Sequence, residues 1–406
     1  MAALLSVADA LARVLDGVEP LPLEDAPLTQ ADGRVLAGDV AARRTQPPAD
    51  LSAMDGYAVR SADVASVPVT LKVTGEVAAG HPFDGQVGAG EAARIFTGGV
   101  VPPGADTIVI QENTQRDGGR VVVNRPEKPG RHIRVAGLDF KKGQVLLPRG
   151  KRLTDRDLML AAAMSHPAVP VHRRPRIAVL GTGDELKAPG SELGPGEIVY
   201  SNGFALMALA RAEAAEVIDL GFVPDNVDAT VAAIRKARAS SADILLTTGG
   251  ASVGDYDLVQ RGLKAEGLEL AFWRVALRPG RPMMNGRLGS MAVLGLPGNP
   301  VSAYVCSFLF LVPLIRKLAG RTDLQAASES AVLGRDLPEN DERADYLRAT
   351  LERRADGGLV ATPISVQDSS MMAALAKADC LVVREAFEPA TKAGSRCAIL
   401  RLTRPL

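Results

Sequence analysis

Thr247-Thr-Gly-Gly-Ala-Ser-Val-Gly-Asp-Tyr-Asp257 is the stretch whose reading decides the fold. It follows the apolar run Ile244-Leu-Leu246, a short buried strand by its composition. It precedes Tyr256 to Glu266, where Leu258, Val259, Leu263 and Ala265 recur at helical spacing. A strand that hands over to a helix through glycines, a serine and carboxylates marks the edge where open α/β sheets bind ligands. Glycines there let backbone N–H groups approach a phosphate, and the helix N-terminus adds partial positive charge. Carboxylates beside a phosphate repel it unless a hard cation such as Mg²⁺ lies between them. The stretch therefore points to a phosphorylated ligand with a divalent ion. The competing reading is a glycine-rich turn in which Asp255 is an ordinary helix cap.

Outward from this loop, strands and helices alternate. Ile177 to Leu180 reads as a strand, Gly203 to Ala214 as a helix, Val217 to Phe222 as a strand, and Asp228 to Ala239 as a helix leading to Asp243–Leu246. Further strands are expected near Leu270–Ala276 and Met291–Leu294, then an apolar helix from Pro300. The fold class is thus α/β plus β, with a mostly parallel, doubly wound α/β domain over 173–322. Residues 45–138 carry short β-prone runs punctuated by glycine and proline turns, an inserted β domain. Residues 1–44 and 139–172 flank it as a helical linker part. There Ser6 and Asp9 start a helix carrying Val7, Leu11, Val14, Leu15 and Val18 on one face, a second helix is expected over Leu28–Val35, and Thr154 and Asp157 cap a third through Met164 that packs back on the first two. Residues 323–406 revert to short strands with one helix near Met371–Lys377, a small C-terminal β-barrel.

Composition narrows the function. A chain of 406 residues exceeds one ordinary core. Its 47 Lys and Arg balance 47 Asp and Glu, so no general pull toward nucleic acid or an anionic membrane is expected. Cys306, Cys380 and Cys397 are odd in number and far apart, as in reduced cytosolic proteins, and the four histidines show no metal-ligand spacing. The N-terminus lacks a basic n-region, and Val301–Ile315 is short for a membrane span, so a cytoplasmic protein is expected.

Four loops fall at carboxyl ends of the α/β strands: Gly181-Thr-Gly-Asp-Glu-Leu186, the opening loop, Arg278-Pro-Gly-Arg-Pro282 and Leu296-Pro-Gly-Asn-Pro300. Asp184 and Glu185 could ligate a metal or cap a helix. Arg278 and Arg281, held three apart by prolines and glycine, suit an oxyanion or, alternatively, surface ion pairs. Asn299 before Pro300 reads first as a cap on a rigid turn. In the insertion, Asp55 before Gly56 could be a turn residue, and Thr97 and Glu112 stand at strand ends. No P-loop, zinc pattern or nucleophile elbow occurs, and Gly181-x-Gly183 lacks the third glycine of a dinucleotide fingerprint. Carboxylates and arginines around glycine loops leave metal-assisted chemistry on a phosphate or another oxyanion.

Five segments together resemble one family over nearly the whole chain, the molybdopterin molybdenumtransferase family, called MoeA in bacteria and similar to the E domain of gephyrin. They are Ser52-Ala-Met-Asp-Gly-Tyr-Ala58, Ile95-Phe-Thr-Gly98, Val179-Leu-Gly-Thr-Gly-Asp-Glu-Leu186, Thr248-Gly-Gly-Ala-Ser-Val-Gly-Asp-Tyr256 and Leu294-Gly-Leu-Pro-Gly-Asn-Pro-Val-Ser302. The resemblance implies a MogA-like α/β domain and an elongated homodimer whose cleft joins the α/β domain of one chain to the β insertion of the other. It implies transfer of molybdate into adenylylated molybdopterin with release of AMP, assisted by Mg²⁺, and a MogA-type adenylyltransferase as a partner. Carried over by motif, Asp55, Asp139, Glu185, Asp225 and Asp255 line the cleft, with Glu185, Asp225 and Asp255 as metal ligands. Gly249, Gly250 and Ser252 approach the phosphate. Arg274, Arg278 and Arg281 stand where relatives carry a lysine-rich or arginine-rich Pro-Gly loop for molybdate or cofactor, and Thr97, Glu112 and Asn299 join the substrate-binding positions. Arg348 and Ser370, with adjacent Ser369 as the alternative, match an anion-binding pair, although Val366-Gln-Asp-Ser-Ser-Met371 departs from the family's Gly-Ser-His-like stretch. The neighbouring readings are a MogA-type adenylyltransferase, which would lack the insertion and barrel, and a gephyrin-like scaffold.

Overall fold

The computed structural model describes residues 4–249 and 258–402; Gly250, Ser252 and Asp255 therefore lie outside the described residues. The central sheet runs Glu216–Val223, Arg176–Thr182, Ile244–Thr248, Met291–Leu296, Pro282–Leu288, Glu269–Arg274. The first four strands are parallel, and the last two reverse direction in turn. Ile244–Thr248 is buried at every position, as its run of aliphatics requires when both faces are covered. Pro282–Leu288 is a strand missing from the expected order. Its Asn285 and Gly286 look like turn residues, yet Asn285 is buried and its side-chain amide donates to the Val293 carbonyl at 3.4 Å. Because of that extra antiparallel strand, the segment 275–281 emerges on the same edge as the glycine loop.

The apolar helix is continuous from Pro300 to Leu318, with a π-helical stretch at Ser307–Leu311 just before Pro313, whose missing N–H cannot join a regular ladder. This helix is long and apolar enough to cross a membrane, and 72% of its apolar window is buried inside the protein, so it serves as a core helix.

The linker differs from expectation. The helix Val7–Leu15, capped by the Ser6 hydroxyl, lays Ala10, Leu11 and Val14 into the same cluster as Phe310 and Leu314 of the α/β domain. It does not meet the helix Asp155–Ala163, which packs in a separate cluster with Leu36, Phe140 and Val169. The expected helix at 28–35 is only the 3₁₀ turn Leu28–Gln30, followed by Gly33 in the left-handed region at φ +69°. Before it, Leu23–Pro27 pairs antiparallel with Ala168–His172. Proline and an Asp-Gly step on either side leave no room for a second helical turn.

The insertion is a six-stranded sheet in the order Thr107–Ile110, Gly56–Val59, Glu91–Ile95, Val69–Val77, Arg120–Val123, Thr114–Asp117. Gly56–Val59, inside the Ser52–Ala58 motif, is buried along its whole length. In the C-terminal region Ala344–Arg353 pairs with both Leu359–Pro363 and Cys380–Arg384, which closes five strands into a barrel. A short parallel pairing of Leu277–Arg278 with Ala344 and Asp345 stitches the arginine loop to that barrel.

Candidate active site

Arg176–Thr182 and Ile244–Thr248 are neighbours from which the chain leaves in opposite directions, the switch point where α/β sheets open a crevice. Gly249 follows the second strand at φ +96°, and a Cβ there would lie 2.1 Å from the Thr182 carbonyl oxygen. Only glycine fits that approach. The Thr182 hydroxyl beside it is buried and has no hydrogen-bond partner among the described residues.

Asp184, Glu185 and Asp225 meet at this edge. The Asp225 N–H donates to Asp184 at 3.0 Å. Burial, then the charges of Asp184 and Glu185, push the Asp225 carboxyl above its usual range. Glu185 folds over Gly183, where a Cβ would stand 2.5 Å from its Oε2. Among the described residues no three His, Cys, Asp or Glu side chains form a ready metal cage, and Asp255 lies outside them. In chemistry the donors suit a hard divalent cation: oxygen ligands only, with uncompensated negative charge. Mg²⁺ commonly takes one or two carboxylates and completes its shell with phosphate and water.

The arginine loop is not the pair of free guanidinium groups its spacing suggests. Arg278 places four of its five N–H donors on Asp345, Asp341 and Asn340. Its pKa is raised chiefly by the hydrogen bonds to Asp345. The Arg274 and Arg281 side chains are exposed and carry no hydrogen bond or ion pair among the described residues.

Arg348 is the opposite case. It is 0% exposed, yet among the described residues it has no carboxylate salt bridge. Nε donates to Gln367 Oε1 at 3.1 Å and Nη1 to the Asp368 carbonyl at 2.7 Å, while Nη2 has no partner among the described residues. Burial lowers its pKa, with Asp368 opposing. Asn299 sits at the helix start as expected, but its side chain does not cap; Nδ2 donates to Ser369 Oγ at 2.9 Å. The Ser369 carbonyl accepts from Val301 N–H at 3.0 Å. Ser370 instead turns back on Asp368, donating Oγ and N–H to one carboxylate oxygen at 2.6 and 2.8 Å.

In the insertion, Asp55 accepts from the Thr97 N–H and hydroxyl, both at 2.7 Å. These bonds, then Arg94, hold its carboxyl below the usual range. Gln111 N–H donates to the Asp55 carbonyl at 3.0 Å, so exposed Glu112 stands at the same corner. Asp139 is exposed and tied by its N–H to the Gln46 carbonyl at 3.0 Å, at the base of the insertion. Among the described residues no hydrogen bond or ion pair joins this corner to the crevice of the same chain.

Comparison with known proteins bears on this arrangement. The profile for the MoeA N-terminal region (domain I and II) matches residues 5–165, that for the "Probable molybdopterin binding domain" residues 178–317, and that for the MoeA C-terminal region (domain IV) residues 330–402. A molybdopterin molybdenumtransferase of Haemophilus influenzae is 36% identical over 94% of this chain and 94% of its own length. One from Nostoc sp. is 43% identical over 72% of this chain and 69% of its own. The chain belongs to the MoeA family of molybdopterin molybdenumtransferases. Two crystal structures of a molybdopterin biosynthesis MoeA protein from Pyrococcus horikoshii superpose with TM-scores of 0.84 and 0.81, covering 99% and 98% of this chain and 100% of theirs at 31% and 29% identity. Membership makes it a transferase of molybdenum cofactor biosynthesis.

Within this MoeA chain, the sequence leaves Asn202 and Asp345 unmarked and ranks Ser370 above Ser369. Asn202 bridges two of its loops, Ser369 rather than Ser370 meets Asn299, and Asp345 neutralises Arg278. Nothing local marks Asp345, which lies 67 residues from its partner.

Proposed function

We propose that this chain is a molybdenum insertase, transferring molybdate into adenylylated molybdopterin with release of AMP. The observation that carries the reading is charge of both signs left unpaired among the described residues. Asp184, Glu185 and Asp225 repel one another at the crevice, and buried Arg348, connected to it through Asp368, Ser369 and Asn299, keeps a donor without an acceptor. The acidic end suits a cation-bridged phosphoanhydride, and the basic end suits a small oxyanion.

On this reading Gly249 lets the backbone approach the phosphate, with Gly250 and Ser252 beside it. Arg348 Nη2, Ser369 and exposed Arg274 and Arg281 attract molybdate. Glu185, Asp225 and Asp255 would hold Mg²⁺, which when bound offsets the charge of the anhydride and polarises it. An oxygen nucleophile, from water or molybdate, attacks phosphorus. With attack at the pterin-side phosphorus, its bond to the bridging oxygen breaks and AMP departs with that electron pair; the two dithiolene thiols give their protons to one molybdate oxygen, which leaves as water as two Mo–S bonds form. Asp55, held ionised by Thr97, would arrive with Glu112 from the second chain of a cytoplasmic homodimer. A MogA-type adenylyltransferase would supply the adenylylated substrate.

Purified protein given adenylylated molybdopterin and Mg²⁺ should release AMP only when molybdate is added. Net adenylylation of molybdopterin by ATP in the absence of molybdate would instead make it the adenylyltransferase. For the shared cleft, mixing Asp55→Asn with Glu185→Gln chains should restore part of the activity that each lacks alone; a monomer in light scattering would defeat the two-chain site.

A further inference from the structure

Asn202 opens the helix Asn202–Ala212 and belongs to none of the four loops. Its Nδ2 donates to Thr248 Oγ1 at 2.9 Å and to the Gly298 carbonyl at 2.7 Å. A carbonyl oxygen only accepts, so the nitrogen end of the amide must face Gly298. Thr248 is buried and immediately precedes Gly249, and its hydroxyl reaches on to the Pro297 carbonyl at 3.4 Å. The two loops are in contact: a Cβ on Gly298 would lie 3.7 Å from Gly249 Cα. Beyond Gly298, Asn299 holds Ser369, whose neighbour Asp368 accepts from Arg348. One hydrogen-bonded chain thus runs from the glycine turn to the buried arginine, and among the described residues Asn202 is its only link donated from a helix outside both loops.

The Thr248–Pro297 contact at 3.4 Å is a second, weaker tie between the loops. On its other side Asn202 borders a cavity of about 380 Å³ shared with Ser201, Pro300 and Met372. With the amide removed, the Pro-Gly-Asn-Pro loop has open space to relax toward.

We propose that Asn202 is a positioning residue that sets the spacing between the phosphate-facing glycine turn and the oxyanion-facing Asn299–Ser369–Arg348 end. This deepens the insertase reading and rests on it. A displacement of about 1 Å between reacting groups costs about 100-fold in rate while leaving each ligand's own contacts in place. Asn202→Ala should therefore lower kcat for AMP release by about 10- to 100-fold with KM for adenylylated molybdopterin within about 3-fold. Thr248→Val removes the shared Asn202–Thr248 bond and the 3.4 Å contact to Pro297 but leaves Asn202 on Gly298, so it should give a smaller loss, and the double variant should lose less than the product of the two. Thr248→Ser keeps the hydroxyl and should recover most of the rate.

Amide exchange in the ligand-free protein reads the tie without activity. Segment 296–301 should exchange about 10-fold faster in Asn202→Ala, with the global melting transition retained. Unchanged exchange overturns the tie whatever the ligands do. Faster exchange with wild-type kcat overturns the positioning role. If wild-type protein shows no molybdate-dependent AMP release, the insertase reading fails, and with it the positioning role, while the exchange result still decides the tie itself.

Discussion

Arg278 and Arg348 face one another in kind across the junction of the α/β domain and the barrel. The first lies on a proline-glycine loop at an open edge, where a binding cation is expected, yet three side chains occupy four of its donors. The second is fully buried in the barrel wall, where a cation is costly, and it keeps a donor idle. The acids divide in the same way. Asp55 is satisfied by Thr97, whereas Asp225 is held against two like charges. Exposure alone would rank these residues wrongly. What separates a joint from a site is whether the protein itself completes the group's partners, because an uncompensated buried charge persists only where something else makes use of it.

Arg348→Met gives the largest expected effect. On the insertase reading, losing the donor assigned to the oxyanion should lower molybdenum transfer by about 100- to 1000-fold. The lost bonds to Gln367 and Asp368 are offset by removing an unpaired buried charge, so the melting temperature should stay within about 3 °C. Transfer at the wild-type rate would erase the contrast. Arg278→Ala should do the reverse. It strands Asp345, 6% exposed, without its cation, at a cost of about 2–4 kcal/mol seen in thermal unfolding. Activity per folded molecule should fall less than 10-fold, roughly what one remote charge contributes. If Arg278→Ala is stable and inactive, the loop is the oxyanion seat after all.

Part of this was legible in the sequence. Alternating apolar runs and helical spacing around Thr247–Asp257 gave the doubly wound sheet, and the Gly-Thr-Gly-Asp-Glu segment gave an acidic edge, because both signals are local in the chain. Pro282–Leu288 escaped since Asn285 and Gly286 are buried for reasons that only the neighbouring strands reveal. The Leu28–Val35 helix was over-read because periodicity says nothing of Gly33 at positive φ. Arg278 misled because its partners Asn340, Asp341 and Asp345 arrive from 62 to 67 residues away. Asn202 left no mark, since a lone asparagine at a helix start reads as a cap and its two acceptors come from other loops.

The acids allow a finer test. Asp225 has its pKa raised by burial and by Asp184 and Glu185, so its ionised form costs stability at neutral pH. The folded pKa exceeds the unfolded one, so this cost is absent below the ordinary carboxylate range and complete above the raised value. Asp225→Asn should therefore raise the melting temperature at pH 7 by no more than about 2 °C, with the gain vanishing near pH 3. Mg²⁺ should narrow the gap at pH 7 by favouring the wild-type chain. A melting temperature lowered at pH 7 by the substitution would mean that the three carboxylates are already compensated.

The smallest effect separates the two adjacent serines. Ser370 holds Asp368 ionised through its hydroxyl, then its N–H, with help from the Arg348 charge. A depressed folded pKa contributes stability above the ordinary aspartate range and loses it as pH falls through the folded value. Ser370→Ala keeps the N–H and removes the hydroxyl, so the Asp368 carboxyl should titrate at higher pH in an NMR titration, and acid unfolding should begin earlier. At neutral pH, where that contribution is complete, the melting temperature should fall slightly, by no more than about 2 °C, with transfer unchanged. Ser369→Ala leaves that titration alone and instead frees Asn299 from the barrel, which should slow transfer by about 3- to 10-fold through one lost hydrogen bond. If Ser370→Ala slows transfer more than Ser369→Ala does, the oxyanion end is built on the Asp368 side, and the idle donor of Arg348 is no longer the feature that distinguishes it from Arg278.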